Sequence, residues 1–213
     1  MAHMKDPITI NHLSLKNRLV MPPMATSQTE DGTVNEKLLD YYGEKSAGGY
    51  IGLVITEHSY VNPQGRANPG QMSIACDSNI DGLKRLVQVI HQNGTKVLAQ
   101  INHAGSAASR KVTGMETISA SAVLHEGMLG RNGELPQEMT KGQIEQTIKD
   151  FAAAARRARE AGYDGVEIHA AHGYLLNQFY SPLTNKREDE YGAAAMEGRL
   201  RIHKEIIQAV RAE

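Results

Sequence analysis

The chain has 213 residues, 40% of them hydrophobic and 22% charged, enough for one domain with a packed core. Its formal net charge of −1 offers no basic field for nucleic acid or an anionic membrane surface. No apolar run approaches the roughly 18 residues of a membrane span, and the single Cys76 excludes an intramolecular disulfide or a metal–sulfur cluster held by four cysteines of this chain.

No signal peptide opens the chain, so a cytoplasmic location is expected. Met1-Ala2-His3-Met4 reads as a cloning scar, which leaves residues 5–213 for the fold. Ile8-Thr9-Ile10 and Leu13-Ser14-Leu15 alternate on either side of Asn11-His12 and predict a small hairpin. Leu19-Val20-Met21, closed by Pro22-Pro23, predicts a first buried strand. Asn35 caps a helix whose apolar face is Leu38, Leu39 and Tyr42, and Gly48-Gly49 ends it. Gly52 to Thr56 is a second strand, followed by a turn-rich loop at Asn62–Arg66. A helix from about Asp77 or Ser78 puts Ile80, Leu83, Val87 and Ile90 on one side and stops at Asn93-Gly94.

Lys96 to Ile101 is a third strand, leading into Asn102-His103-Ala104-Gly105. A long excursion from Ser106 to Pro136, rich in Gly and Ser, shows little helical period. Thr140 and Gln143 form a capping box for a third helix with Ile144, Ile148, Phe151 and Ala155 on one side. Gly165-Val166-Glu167-Ile168 is a fourth buried strand, and about Met196 to Arg211 a fourth helix with Leu200, Ile206, Ile207 and Val210 inward. Strand–helix four times over calls for a parallel sheet with right-handed crossovers. A full eight-unit barrel needs roughly 200 residues at the least and usually about 250. The expected fold is therefore α/β, of the (β/α)8 TIM-barrel type, with about the first four β/α units present as a half barrel. Val20, Val54, Leu98 and Ile168 are expected to face its interior.

In barrels and doubly wound sheets the carboxyl ends of the strands carry the ligand. Those ends offer Pro23-Met24-Ala25-Thr26, Glu57 and His58, Gln100 and His103, and the cluster His169, His172 and Tyr174. Two neutral imidazoles that each donate a hydrogen bond would polarise a carbonyl oxygen, and a phenol could protonate a neighbouring carbon. Spacing alone leaves other readings open. The histidines also suit loop or core positions, and a metal-dependent barrel hydrolase would use His58, His169 and His172. His-x-x-His on a strand-to-loop segment, however, lacks the same-face geometry of a helical pair, and no carboxylate follows at ligand spacing. Gln100, taken by itself, reads first as a structural bond to a neighbouring loop.

The string His169-Ala-Ala-His-Gly-Tyr-Leu175, followed by Phe179-Tyr-Ser-Pro-Leu-Thr-Asn185 and Arg187-Glu-Asp-Glu-Tyr-Gly192, resembles the signature of the Old Yellow Enzyme family. These are FMN-dependent ene-reductases and NADH:flavin oxidoreductases, and the resemblance runs from about Pro7 onward. It implies FMN as cofactor, NADH or NADPH as hydride donor, and a small activated alkene of the enone or enoate type as substrate. It implies that Pro23, Met24, Ala25 and the segment at His58 lie against the flavin ring, and that Gln100 bonds its pyrimidine edge. His169 and His172 correspond to the pair that binds the substrate carbonyl, and Tyr174 to the proton donor. Three departures stand out. Ala25 occupies a position that often holds Thr or Cys, leaving that flavin contact missing or replaced by Thr26. His58 stands where a small residue is common. Gly192-Ala-Ala-Ala-Met-Glu-Gly-Arg199 is a degraded helix cap. The phosphate-holding loops after strands seven and eight and a strand-five Arg have no counterpart in these residues. The alternative is then a catalytically silent half barrel that needs self-association or a complementary half to hold FMN.

Overall fold

The computed structural model describes residues 2–124 and 133–213. Strands β1 (Ile8–Ile10) and β2 (Leu13–Leu15) pair antiparallel as the expected hairpin, with Asn11 at φ 53°, a conformation Asn tolerates in a tight turn. Strand β3 (Val20–Met21) follows, then helix α1 (Glu36–Ser46), whose Asn35 side chain accepts from the Leu38 N–H. Strand β4 is longer than expected, Leu53–Tyr60, so Glu57 and His58 lie within it. After α2 (Ile80–His91) comes β5 (Lys96–Asn102).

The excursion holds more structure than its composition suggested. Ser109 caps a one-turn helix α3 (Arg110–Thr113), and β6 (Ile118–Ser119) pairs with β7 (Gln137–Glu138); positions 125–132 lie outside the described residues. Helix α4 (Lys141–Ala161) starts at the expected Thr140–Gln143 box and ends on Gly162 at φ 90°. Strand β8 (Gly165–Ile168) leads to α5 (Leu175–Tyr180), which the sequence pattern did not reveal, and the chain closes with α6 (Met196–Ala212).

β3, β4, β5 and β8 form one parallel sheet in that order, and no described strand pairs with the outer edge of β3 or β8. The helices lie on one face: α1 packs on α2, α2 on α4, α4 on α6. Val54, Val97, Ala99 and Ile101 from the sheet meet Leu38, Leu83, Ile90, Ile144, Phe151 and Ile202 from the helices there. Each of these side chains larger than Ala contributes about 1.5–3 kcal/mol on burial. The opposite, inner face is small. Leu53, Ile55 and Leu98 are covered by Ile8, Leu13 and Leu15 of the hairpin, which plugs its lower end. These are four consecutive β/α units of a barrel with helices outside and the hairpin underneath.

The register corrects two expectations. Val54 and Ile168 belong to the helix-covered face, since they share the side of Val97 and Ile101 with which they pair, so they are not interior residues. Val20, opposite Leu53, does face inward, but it is 47% exposed rather than buried, because nothing described covers it. On α6, Ile202 and Ile206 are buried while Ile207 is 47% exposed, one residue being a rotation of about 100°.

The Thr184–Gly192 stretch is a brace. The Arg187 guanidinium holds Asp189 and donates to Met139 O and Ala120 O, at 2.6 and 3.1 Å. The Asn185 amide bridges Phe179 O and Tyr191 O, and the Tyr191 hydroxyl donates to Glu205 on α6 at 2.9 Å. At the start of α6, Ala195 has the extended geometry of an N-cap (φ −124°, ψ 156°) but no side-chain acceptor, as its sequence implied. Gly198 is not merely a degraded position: a Cβ there would come 2.2 Å from Gly192 O.

Ala195→Ser should therefore raise stability by about 0.5–2 kcal/mol in urea unfolding, by giving the α6 amides an acceptor. Gly198→Ala should lower it, because the Gly192 backbone has to move aside. Equal midpoints for both variants and the parent would remove the cap and close-approach account.

Candidate active site

The site is built on the carboxyl ends of the four parallel strands. After β3 the chain runs through Pro22–Ala25, where Met24 is 56% exposed and Ala25 is open. The next residue is tied down. The Glu57 carboxylate, 2% exposed, accepts from the Thr26 N–H at 2.5 Å and from the Thr26 hydroxyl at 2.9 and 3.0 Å. The Thr26 hydroxyl thus gives its proton to Glu57. Burial pushes the Glu57 carboxyl above its usual pKa, and the Glu57 N–H is held by the Tyr42 hydroxyl at 2.8 Å.

On β5 and β8, Gln100 and Glu167 are register partners on the inner face, and Gln100 Nε2 donates to Glu167 Oε1 at 2.6 Å. The bond goes to a neighbouring strand rather than to a loop, and the carboxamide oxygen is left as an acceptor. The ladder continues past β8: the His169 N–H donates to Ile101 O at 3.0 Å. His169 therefore leaves the sheet on the side of Glu167.

A left-handed turn then doubles back. His172 sits at φ 57° and Gly173 at φ 71°, and the Tyr174 N–H donates to Ala171 O. The turn stacks Tyr174 on His169, with ring centroids 4.8 Å apart and 28° between planes, and places His172 5.1 Å from His169. His58 of β4 lies edge-on, 5.7 Å from Tyr174 and 6.0 Å from His169. Four of the expected residues are thus one cluster. Gln100 stands on the same sheet face just below it, and Pro23–Ala25 belong to the loop anchored at Glu57.

The hydrogen bonds decide the tautomers. The Ala171 N–H donates to His169 Nδ1 at 3.2 Å, so the His169 proton is on Nε2, and that proton faces His172 Nδ1 at 3.2 Å. The two imidazoles therefore act in series, His169 donating to His172, and the His172 Nε2–H is the outward donor. Burial, followed by the neighbouring His58 and His172, drops His169 to about 4, and burial lowers His58 as well. Both rings are neutral near pH 7. Among the described residues no group of three His, Cys, Asp or Glu side chains is placed to hold a metal ion.

Several site-building residues were invisible to spacing. Gln71, 2% exposed, reaches His58 Nδ1 at 2.6 Å from a loop. Gln178, on the unanticipated α5, donates to Gly173 O and Ala104 O and accepts from the Ser106 N–H and the Ser119 hydroxyl. His103, by contrast, was named at its strand end; it is buried, accepts from the Gly105 N–H at 3.0 Å, and is pushed down to about 4 by burial. For Gln71 and Gln178 no sequence signal pointed to the site.

Comparison with known proteins bears on the family and the fold. Residues 4–213 match the model of a family described as NADH:flavin oxidoreductase / NADH oxidase. The chain is 41% identical to an NADPH dehydrogenase of Clostridium acetobutylicum over 209 residues, covering 97% of this chain and 59% of that protein. It is 43% identical to an NADPH dehydrogenase of a Geobacillus species over 208 residues, covering 97% and 58%. Among solved structures it superimposes on morphinone reductase with a TM-score of 0.91 at 31% identity, covering 98% of this chain and 58% of that one. An Old Yellow Enzyme homologue from Zymomonas mobilis gives 0.91 at 30% identity, covering 99% and 60%. The chain thus spans a little under two thirds of the length of these relatives.

The depressed histidines make stability depend on pH with a definite sign. Between the ordinary histidine pKa of about 6.5 and about 4, the unfolded chain binds protons that folded His103 and His169 refuse, so stability falls as pH falls through that window. Half-buried His58 and His203, also lowered, act in the same direction. Glu57, raised by burial, acts in the opposite direction but is a single group. The urea midpoint should be lower at pH 5 than at pH 7, and His103→Gln should flatten the slope. A midpoint that rises on acidification would contradict the neutral assignment.

Proposed function

The chain belongs to the NADH:flavin oxidoreductase / NADH oxidase family, and from that premise we propose that its strand-end cluster reduces an activated alkene, of the enone or enoate type, at the expense of NADPH or NADH. The observation that carries the proposal is the hydrogen-bonded His169–His172 pair with the Tyr174 phenol stacked on it. The inner face suits a flat ring with one polar and one apolar end. Gln100 and Glu167 lie above an apolar floor of Leu53, Ile55 and Leu98, and Met24 and Ala25 stand open at the side. Pro23, Met24, Ala25 and the segment at His58 would hold the FMN ring, with the free Gln100 carboxamide oxygen at its pyrimidine edge. When bound, FMN supplies the two-electron chemistry, taking hydride from the nicotinamide and delivering it to the alkene β-carbon.

The chain's own residues do the rest. The His172 Nε2–H donates to the substrate carbonyl. Because His172 Nδ1 itself accepts from His169, that donor is strengthened by polarisation along the chain of bonds. A preorganised donor suits this task, since a carbonyl oxygen gains charge as the alkene is reduced. The Tyr174 hydroxyl delivers the proton to the carbon next to the carbonyl. The stack on His169 fixes the phenol, and Gln178, bonded to Gly173 O, fixes the turn that carries it. No observation favours the hydrolase alternative, because His169 and His172 are bonded to each other.

The open edges of β3 and β8, with Val20 47% exposed on the inner face, support a second proposal about the 213 residues taken alone. Four parallel strands do not close a barrel, and unpaired edges recruit partners. The isolated chain is expected to self-associate or to need a complementary half, and to hold FMN weakly.

Two measurements follow. Tyr174→Phe in flavin-loaded enzyme should slow alkene reduction by about 10²-fold or more, the usual scale of a lost general acid, while NADPH consumption with oxygen as acceptor changes little. Equal loss in both would make Tyr174 structural. Sedimentation of the 213-residue chain should show a dimer or larger species, and FMN titration should show weak binding; a monomer holding one tight FMN would overturn the open-sheet proposal.

A further inference from the structure

Gln100 stands between two unlike neighbours. On one side β4 is bulged: Thr56 pairs with Ala99 and Ser59 with Ile101, so Glu57 and His58 together oppose the single residue Gln100. On the other side its register partner is Glu167 of β8. Gln100 is buried, and its side chain turns to β8, giving an Nε2–H to Glu167 Oε1 at 2.6 Å. A carboxylate oxygen and a carboxamide oxygen both accept, so this contact permits one orientation of the amide, with the nitrogen toward Glu167. The reversed amide would set two acceptors against each other. Among the described residues no donor is bonded to Gln100 Oε1, and Nε2 keeps its second N–H.

We infer that Glu167 is a positioning residue: by taking one Gln100 N–H it fixes the carboxamide with its oxygen as the acceptor offered to the flavin ring, and so makes the slot select a ring edge that donates an N–H. The inference rests on the reading of the inner face as the flavin slot. The pyrimidine edge of a flavin carries one N–H, at N3, between two carbonyl oxygens. A carboxamide whose oxygen accepts that proton and whose second N–H donates to the neighbouring carbonyl meets the edge with two bonds. A carboxylate above the apolar floor of Leu53, Ile55 and Leu98 costs more there than a neutral amide does. A neutral amide in its place, however, would bond Gln100 in either orientation. What the carboxylate adds is the orientation. Glu167 acts through Gln100 and not on the reacting atoms.

The test compares FMN with 3-methyl-FMN, which has a methyl group in place of the N3 proton, on the 15N,13C-labelled 213-residue chain. Before flavin is added, the Gln100 Nε2 signal should correlate through the hydrogen bond with the Glu167 carboxylate carbon. FMN should shift the Gln100 side-chain signals and bind at least about threefold more tightly than 3-methyl-FMN, the scale of one hydrogen bond. The bulk of the methyl group is common to every variant, so changes in the ratio report the amide. Glu167→Gln, nearly the same size, and Glu167→Leu should each shrink the ratio by about twofold or more. In a Gln100→Leu background, with no amide to orient, neither substitution should change it. A missing correlation in the parent, a ratio that both Glu167 variants leave unchanged, or a change that persists in the Gln100→Leu background would overturn the inference while leaving the flavin slot standing. If FMN does not shift the Gln100 signals, the slot reading itself fails and takes the inference with it.

Discussion

One buried amide holds the site together. Gln178 is 2% exposed and spends its side chain on four bonds, to Gly173 O, Ala104 O, the Ser106 N–H and the Ser119 hydroxyl. The first belongs to the turn that carries His172 and Tyr174; the other three belong to the segment after β5. A buried polar group left without its partner costs about 1–3 kcal/mol, so these bonds are made together or lost together. They convert two loops, ordinarily the softest parts of a barrel, into one piece aligned on the His169 strand end. The positive φ of His172 persists because this surrounding structure over-determines it.

Electrostatically the site is built from donors rather than charges. Burial, and the rings beside them, keep His169 and His58 neutral. The site's one deeply buried carboxylate, Glu57, has no cation paired with it among the described residues and is satisfied by the Thr26 N–H and hydroxyl. A buried charge is tolerated only with such bonds. Glu57 thereby fastens the Pro23–Ala25 loop to the strand that bears His58, so both walls of the proposed flavin slot move as a unit.

The sheet that presents these groups is asymmetric in its support. Its outer face is buried under four helices, whereas its inner face is covered only by the hairpin at the lower end. Stability thus comes from the helix layer, and the upper inner face is left for ligand. The same asymmetry leaves Val20 exposed and the β3 and β8 edges open.

The sequence by itself determined the elements and their order. The capping box at Thr140, the cap at Asn35, the apolar stripe of α2 and the short β-rich runs are local signals, legible wherever the bonding partners lie within a few residues. The resemblance carried by His169–Gly192 likewise named His169, His172 and Tyr174, which the fold then brought together. Only the tertiary structure decided which way those groups face. Val54 and Ile168 turned to the helices because the face of a four- to eight-residue strand depends on register, which single-strand hydrophobicity leaves open when both faces are apolar. Gln71 reaches His58 across 13 positions, and Gln178 reaches Ser106 across 72. No spacing rule spans such distances. The serial order of the two imidazoles follows from a backbone N–H at Ala171 and a left-handed turn at His172, features set by packing around the turn rather than by the identity of the residues in it.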